Sequence, residues 1–176
     1  MTRAALCGAT LLVSVRVASV LAQAPDFAGT WKLDPGRSRI GAATLAGLIK
    51  TGAPDILYIT HAANGTVIVE SRINESQSRI YTPGGRTTTP VVPGGSIAMT
   101  SKREGRTLVS EGRQESASGA STSVKETLAL DADGRTLTID IRTTGSGDTS
   151  ASTLIYTRTT FVEPCEKWPT PCKAPR

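Results

Sequence analysis

The chain has 176 residues, with 20 basic and 15 acidic side chains, 4% aromatics and a single histidine. That length supports one domain with a real core, and the basic residues are scattered singly rather than gathered with aromatics into a nucleic-acid-binding stripe. The lone histidine and three cysteines leave little material for metal-ligand clusters or His-dependent catalysis.

Residues 1–22 read as a secretory signal. Arg3 begins it, the mostly apolar run Ala4 to Leu21 follows, and small residues close it. Both Val20-Leu21-Ala22 and Ala22-Gln23-Ala24 suit a signal peptidase, and the former is preferred because the latter places Pro25 just after the cut. Retention as a membrane anchor would carry Arg16 into the bilayer at a cost of about 2–3 kcal/mol. Cleavage after Ala22 leaves 154 of the 176 residues, and loss of Arg3 and Arg16 lowers the formal charge from +5 to +3. The mature protein is expected to be periplasmic or secreted and not membrane-embedded.

Next come short alternating segments separated by turn residues. They run Thr30 to Asp34, Ile56 to His61, Thr66 to Ile73, Ser78 to Thr82 and Thr87 to Val92. The series continues with Ser96 to Arg103, Arg106 to Arg113, Ser123 to Leu130, Arg135 to Arg142 and Ser152 to Phe161. Asn64-Gly65, Glu104-Gly105 and Asp133-Gly134 supply tight turns. Pro90 marks its segment as an edge strand or loop. Between the first two strands, Leu45, Leu48 and Ile49 recur at helical spacing and predict a short helix within Gly41 to Gly52 that caps one end. About nine or ten strands joined by short hairpins predict an all-β, up-and-down antiparallel meander closing into a barrel over residues 25–161.

Gly29-Thr30-Trp31 matches the Gly-x-Trp signature of a first barrel strand, and here the chain resembles the lipocalin-like side of the calycin group. Phe27 to Leu33 also resembles the opening of intracellular fatty-acid-binding proteins. The likeness is greatest to small exported bacterial proteins of unassigned function, through Leu57-x-Ile59-x-His61 and Asp133-Gly134-Arg135-Thr136-Leu137-Thr138-Ile139. The resemblance implies structural roles for Gly29 and Trp31, with Arg158 packed across Trp31 by cation–π attraction. Fatty-acid-binding proteins carry a terminal Arg-x-Tyr that holds a carboxylate; this chain has the reversed Tyr156-x-Arg158, so that function does not carry over.

Alternation assigns Trp31, Leu33, Leu57, Ile59, Val67, Val69, Leu137, Ile139 and Ile141 to the interior. The same rule turns Lys32, Thr66, Glu70, Arg72, Thr138 and Asp140 outward, too polar a set for an outer-membrane barrel. Arg72, Arg79, Arg103, Arg113 and Arg142 are read as solvated strand positions. His61, Glu126 and Tyr156 become the candidate ligand-binding groups of a lumen, against the plainer reading that they satisfy one another or backbone groups.

No nucleophile–base pair is visible, and no cofactor or metal is implied. Asp131-Ala132-Asp133-Gly134 is better explained as a hairpin turn than as a calcium loop. Cys165 and Cys172, in the tail 162–176, are expected to form a disulfide in an oxidising compartment. Two functions lead: non-covalent binding of a small apolar or amphipathic ligand, or an extracytoplasmic interaction module without a cavity, acting on an unidentified protein partner; an enzyme, which would have to rely on Glu126, His61 or Tyr156, comes third.

Overall fold

The computed structural model describes residues 25–160 except 47, 50, 72–77, 91–94 and 146. The expected signal, residues 1–22, and the two cysteines of the expected disulfide, Cys165 and Cys172, lie outside the described residues. Among the described residues ten strands form one antiparallel sheet: β1 (Gly29–Leu33), β2 (Ile56–His61), β3 (Val67–Glu70), β4 (Ser78–Tyr81), β5 (Arg86–Pro90), β6 (Gly95–Glu104), β7 (Thr107–Ser116), β8 (Ser121–Leu130), β9 (Thr136–Gly145) and β10 (Asp148–Thr159). Their order is β4-β3-β2-β1-β10-β9-β8-β7-β6-β5, a meander in which β1 and β10 also pair.

The two strands that end the order are β4 and β5, and Pro90 sits on the latter, where its missing N–H leaves the β6 ladder intact. The chain between them draws these edges together. Thr82 Oγ1 meets the Thr66 and Thr87 hydroxyls at 3.3 and 3.0 Å. The Gly84 N–H donates to the Ser101 carbonyl, and the Ser101 N–H donates to that of Gly85. Thr66, assigned outward by alternation, is therefore buried at this closure.

The period-two reading of the interior holds along the long strands. Leu57, Ile59, Val67, Val69, Leu137, Ile139, Ile141, Leu154 and Tyr156 are all buried in one core that includes Trp31 and Phe27. The predicted helix within Gly41 to Gly52 is not formed among the described residues. The segment makes only tight turns, with the Leu48 and Ile49 N–H groups both donating to the Leu45 carbonyl. Gly41, Gly47 and Gly52 lower its helix propensity by about 1 kcal/mol each relative to alanine. The segment is tied instead to β10, where the Ser152 hydroxyl accepts from the Gly41 N–H and donates to the Ala43 carbonyl. Leu45 and Leu48 join the main core, and Ala46 packs on Ile97, Met99 and Val124. The leucine spacing thus marks burial over a barrel end rather than a helix.

Candidate functional site

At the end where the chain enters the barrel, Trp31 is fully buried and its indole N–H donates to the Phe27 carbonyl at 2.9 Å. The Arg158 guanidinium lies 4.4 Å from the Trp31 ring centroid. It also donates to the carbonyls of Gly134, Ala28 and Asp26. Gly29 adopts φ 138°, and a Cβ there would stand 2.7 Å from Arg158 Nη1. The glycine of the Gly-x-Trp signature therefore leaves room for the arginine that covers the tryptophan.

His61 sits at this same end, edge-on to Phe27, with Nδ1 3.8 Å from an Asp26 carboxylate oxygen. Its Nε2 is buried without a hydrogen-bond partner among the described residues. Burial pushes the imidazole below its ordinary pKa; Asp26 opposes that shift and Arg103 reinforces it. Tyr156 is committed elsewhere, its hydroxyl donating to the Pro54 carbonyl at 2.9 Å. Burial raises the Tyr156 pKa, and Asp55 adds to the effect.

Glu126 has different company. Its carboxylate receives Arg79 Nε at 3.3 Å, Arg79 Nη2 and the Tyr81 hydroxyl at 2.8 Å. Glu126 is 0% exposed and Arg79 1%, so the ion pair is removed from water. Tyr81 is also fully buried. Because β4 and β8 are not neighbours in the sheet, these contacts cross the barrel interior. The structure thus brings neither His61 nor Tyr156 into hydrogen-bond contact with Glu126, and it adds Arg79 and Tyr81, which the sequence reading missed.

Its charge alone assigns Arg79 to a solvated face. The available signal was its register: Val69 and Arg79 are directly paired on β3 and β4, as are Val67 and Tyr81, and opposed residues share a face. Both valines read as interior from the sequence. The register itself depends on the connection through residues 72–77, whose length no turn motif announces.

Lateral pairing extends the polar group. Ser101 pairs with Ser110, Ser110 with Glu126, Glu126 with Ile141 and Ile141 with Ser152. All five are buried. The Ser101 and Ser110 hydroxyls meet at 2.8 Å. On β7 to β10 the next inward row is apolar, pairing Leu108 with Leu128, Leu128 with Ile139 and Ile139 with Leu154, while on β6 the half-buried Arg103 stands opposite Leu108. A belt of serine hydroxyls and one ion pair therefore lies beside an apolar row on β7 to β10.

Burial opposes the Arg79 charge, but Glu126 and the Tyr81 hydroxyl outweigh it and raise the guanidinium pKa, so Arg79 stays cationic. Burial pushes the Tyr81 hydroxyl well above its ordinary value, with the Glu126 charge adding to it, so it remains a donor. Arg79 Nη1 is buried and has no hydrogen-bond partner among the described residues. An unmet donor of this kind costs about 1–3 kcal/mol, or more when charged. The arrangement can hold the polar end of a molecule otherwise surrounded by hydrocarbon. The Asp131 and Asp133 carboxylates, by contrast, accept the backbone N–H groups of Arg135 and Thr136 in the β8–β9 hairpin. The Thr136 N–H contributes most to lowering the Asp131 pKa to about 2.

No family model matches this sequence, and no curated protein matches it. Among solved structures, the chain is similar to one described as the REP1-NXSQ fatty acid transporter, with 15% identity over 77% of this chain and 97% of that one, at a TM-score of 0.51. A fatty-acid-binding protein 1 of Echinococcus granulosus shows 14% identity over 76% of this chain and 98% of that one. Its TM-score of 0.44 is too low to add to the fold assignment. The strand order and the first of these similarities together give the chain an all-β antiparallel meander-barrel fold, shared with a structure described as a fatty acid transporter.

Proposed function

We propose that this protein is an exported barrel that binds a small apolar or amphipathic molecule non-covalently in its interior. The carrying observation is the fully buried Arg79–Glu126–Tyr81 cluster, which lies beside an apolar row of the barrel interior and retains a guanidinium nitrogen without a hydrogen-bond partner among the described residues. Ligand sites characteristically combine apolar walls with a few such convergent polar groups. The similarity in fold to a fatty acid transporter supports an apolar cargo in general terms.

In this reading Glu126 belongs to the ligand site together with Arg79 and Tyr81. His61 and Tyr156 serve the barrel ends, where Asp26, Phe27 and Pro54 engage them. Export rests on the charged-apolar-small pattern of residues 1–22, and the Cys165–Cys172 disulfide on the oxidising compartment that export implies.

Native mass spectrometry of the protein purified from a periplasm without detergent tests the proposal. The expected spectrum shows a mature chain lacking the signal, lighter by two hydrogens than its reduced form, and carrying extra mass that leaves on denaturation. A uniformly ligand-free mass, together with no uptake of added lipids, would transfer the weight to an interaction module without a cavity.

A further inference from the structure

The donor and acceptor inventory of the buried belt bears on which polar end the barrel accepts, provided that the ligand-binding reading above holds. Arg79 is the buried cation of this belt, and Glu126 engages it side-on through Nε and Nη2. The pair has no net charge to offer. Both Glu126 oxygens are engaged, one by Nη2 and the other by Nε and the Tyr81 hydroxyl. What remains is mostly donor capacity. Arg79 Nη1 carries two N–H groups without partners among the described residues. In the Ser101–Ser110 pair one hydroxyl donates to the other, which leaves the second hydrogen without a partner among the described residues. Tyr81 has donated its proton and retains only an acceptor oxygen.

An anionic ligand entering this belt would place a third charge beside an already neutralised pair, in a region removed from water. Its desolvation would go uncompensated. An uncharged oxygen brings lone pairs for Nη1 and the serine hydroxyl without that penalty. We propose that the buried Arg79–Glu126 pair makes the barrel select an amphipathic ligand with an uncharged oxygen-acceptor end, such as an ester, amide or alcohol, and reject carboxylates. Glu126 thereby acts as a built-in carboxylate, occupying the arginine that a free acid would need.

The test uses the full mature protein, stripped of bound lipid, at a pH of about 8, where carboxylic acids are ionised. Displacement of Nile red by methyl decanoate, decanol, decanoate and decane ranks four polar ends on comparable chains. Methyl decanoate and decanol are expected to bind at least about tenfold more tightly than decanoate, a factor within the range that an uncompensated buried group produces. Both should also bind more tightly than decane. In Glu126→Gln, which keeps the side-chain shape and frees the Arg79 charge, decanoate should gain at least about tenfold relative to the ester.

A wild-type preference for decanoate, or equal affinity for ester and decane, would overturn the selectivity while leaving a ligand-binding barrel. Binding of none of the four, and of no Nile red, would overturn the ligand-binding reading itself. The wild-type ranking decides the question even if Glu126→Gln does not fold.

Discussion

Glu126 and Arg79 form a pair in which each partner's burial is tolerable only because of the other. Removing Glu126 alone strands a buried guanidinium, and breaking such pairs costs about 3–5 kcal/mol. Glu126→Ala is therefore expected to lower unfolding free energy by that amount in urea titration. The combined Arg79→Met, Tyr81→Phe and Glu126→Leu replacement should cost far less than the single change, because it removes the charges and their hydrogen-bonding partner together. A triple variant at least as damaged as Glu126→Ala would show that packing rather than charge pairing governs the site. His61 gives a pH-dependent counterpart. Burial lowers its folded-state pKa below the unfolded value, so the unfolded state binds more protons in the intervening range. The associated stability is fully present above about pH 6.5 and is lost as pH falls through the lower folded value. Wild-type melting temperature should fall between about pH 7 and pH 5, and His61→Gln should flatten that fall.

At the scale of elements, Arg158 joins parts of the chain that are far apart in sequence. From β10 it reaches the carbonyls of Asp26 and Ala28 before β1, the carbonyl of Gly134 in the β8–β9 hairpin, and the face of Trp31. Arg158→Ala should destabilise the barrel by about 1 kcal/mol through the cation–π contact alone. The lost carbonyl contacts should add to that. Arg158→Lys should restore only part, because an ammonium cannot span three carbonyls as a planar guanidinium does. An unchanged denaturation midpoint for Arg158→Ala would remove this side chain from the end closure. The segment from Gly41 to Gly52 shows the opposite relation between pattern and element. Leu45 and Leu48 are buried as their spacing suggested, yet the backbone takes tight turns and bonds to Ser152. Tertiary anchoring on β10 overrides a short hydrophobic period in a glycine-rich stretch.

For the whole molecule, closure is what turns strand faces into an interior. Each hairpin buries one face only if the meander curls until β1 meets β10 and the Thr82 to Gly85 connection draws β4 toward β5. The strands and their inward faces were legible in the sequence. Period-two alternation is a local property, and the turn residues that separate the strands act within a few positions. Glu126 was legible as an interior carboxylate for the same reason, since Val124, Leu128 and Leu130 share its face. The composition of the site was not legible. Arg79 and Glu126 are separated by 47 positions and lie on strands that do not pair, so no local pattern relates them. The sequence by itself therefore determined which segments form strands and, apart from positions such as Thr66 and Arg79, which faces turn inward, because those choices depend on neighbours along the chain. Only the tertiary structure decided that a cationic strand residue faces inward and meets Glu126, because that depends on strand register and on the closure that brings β4 across from β8.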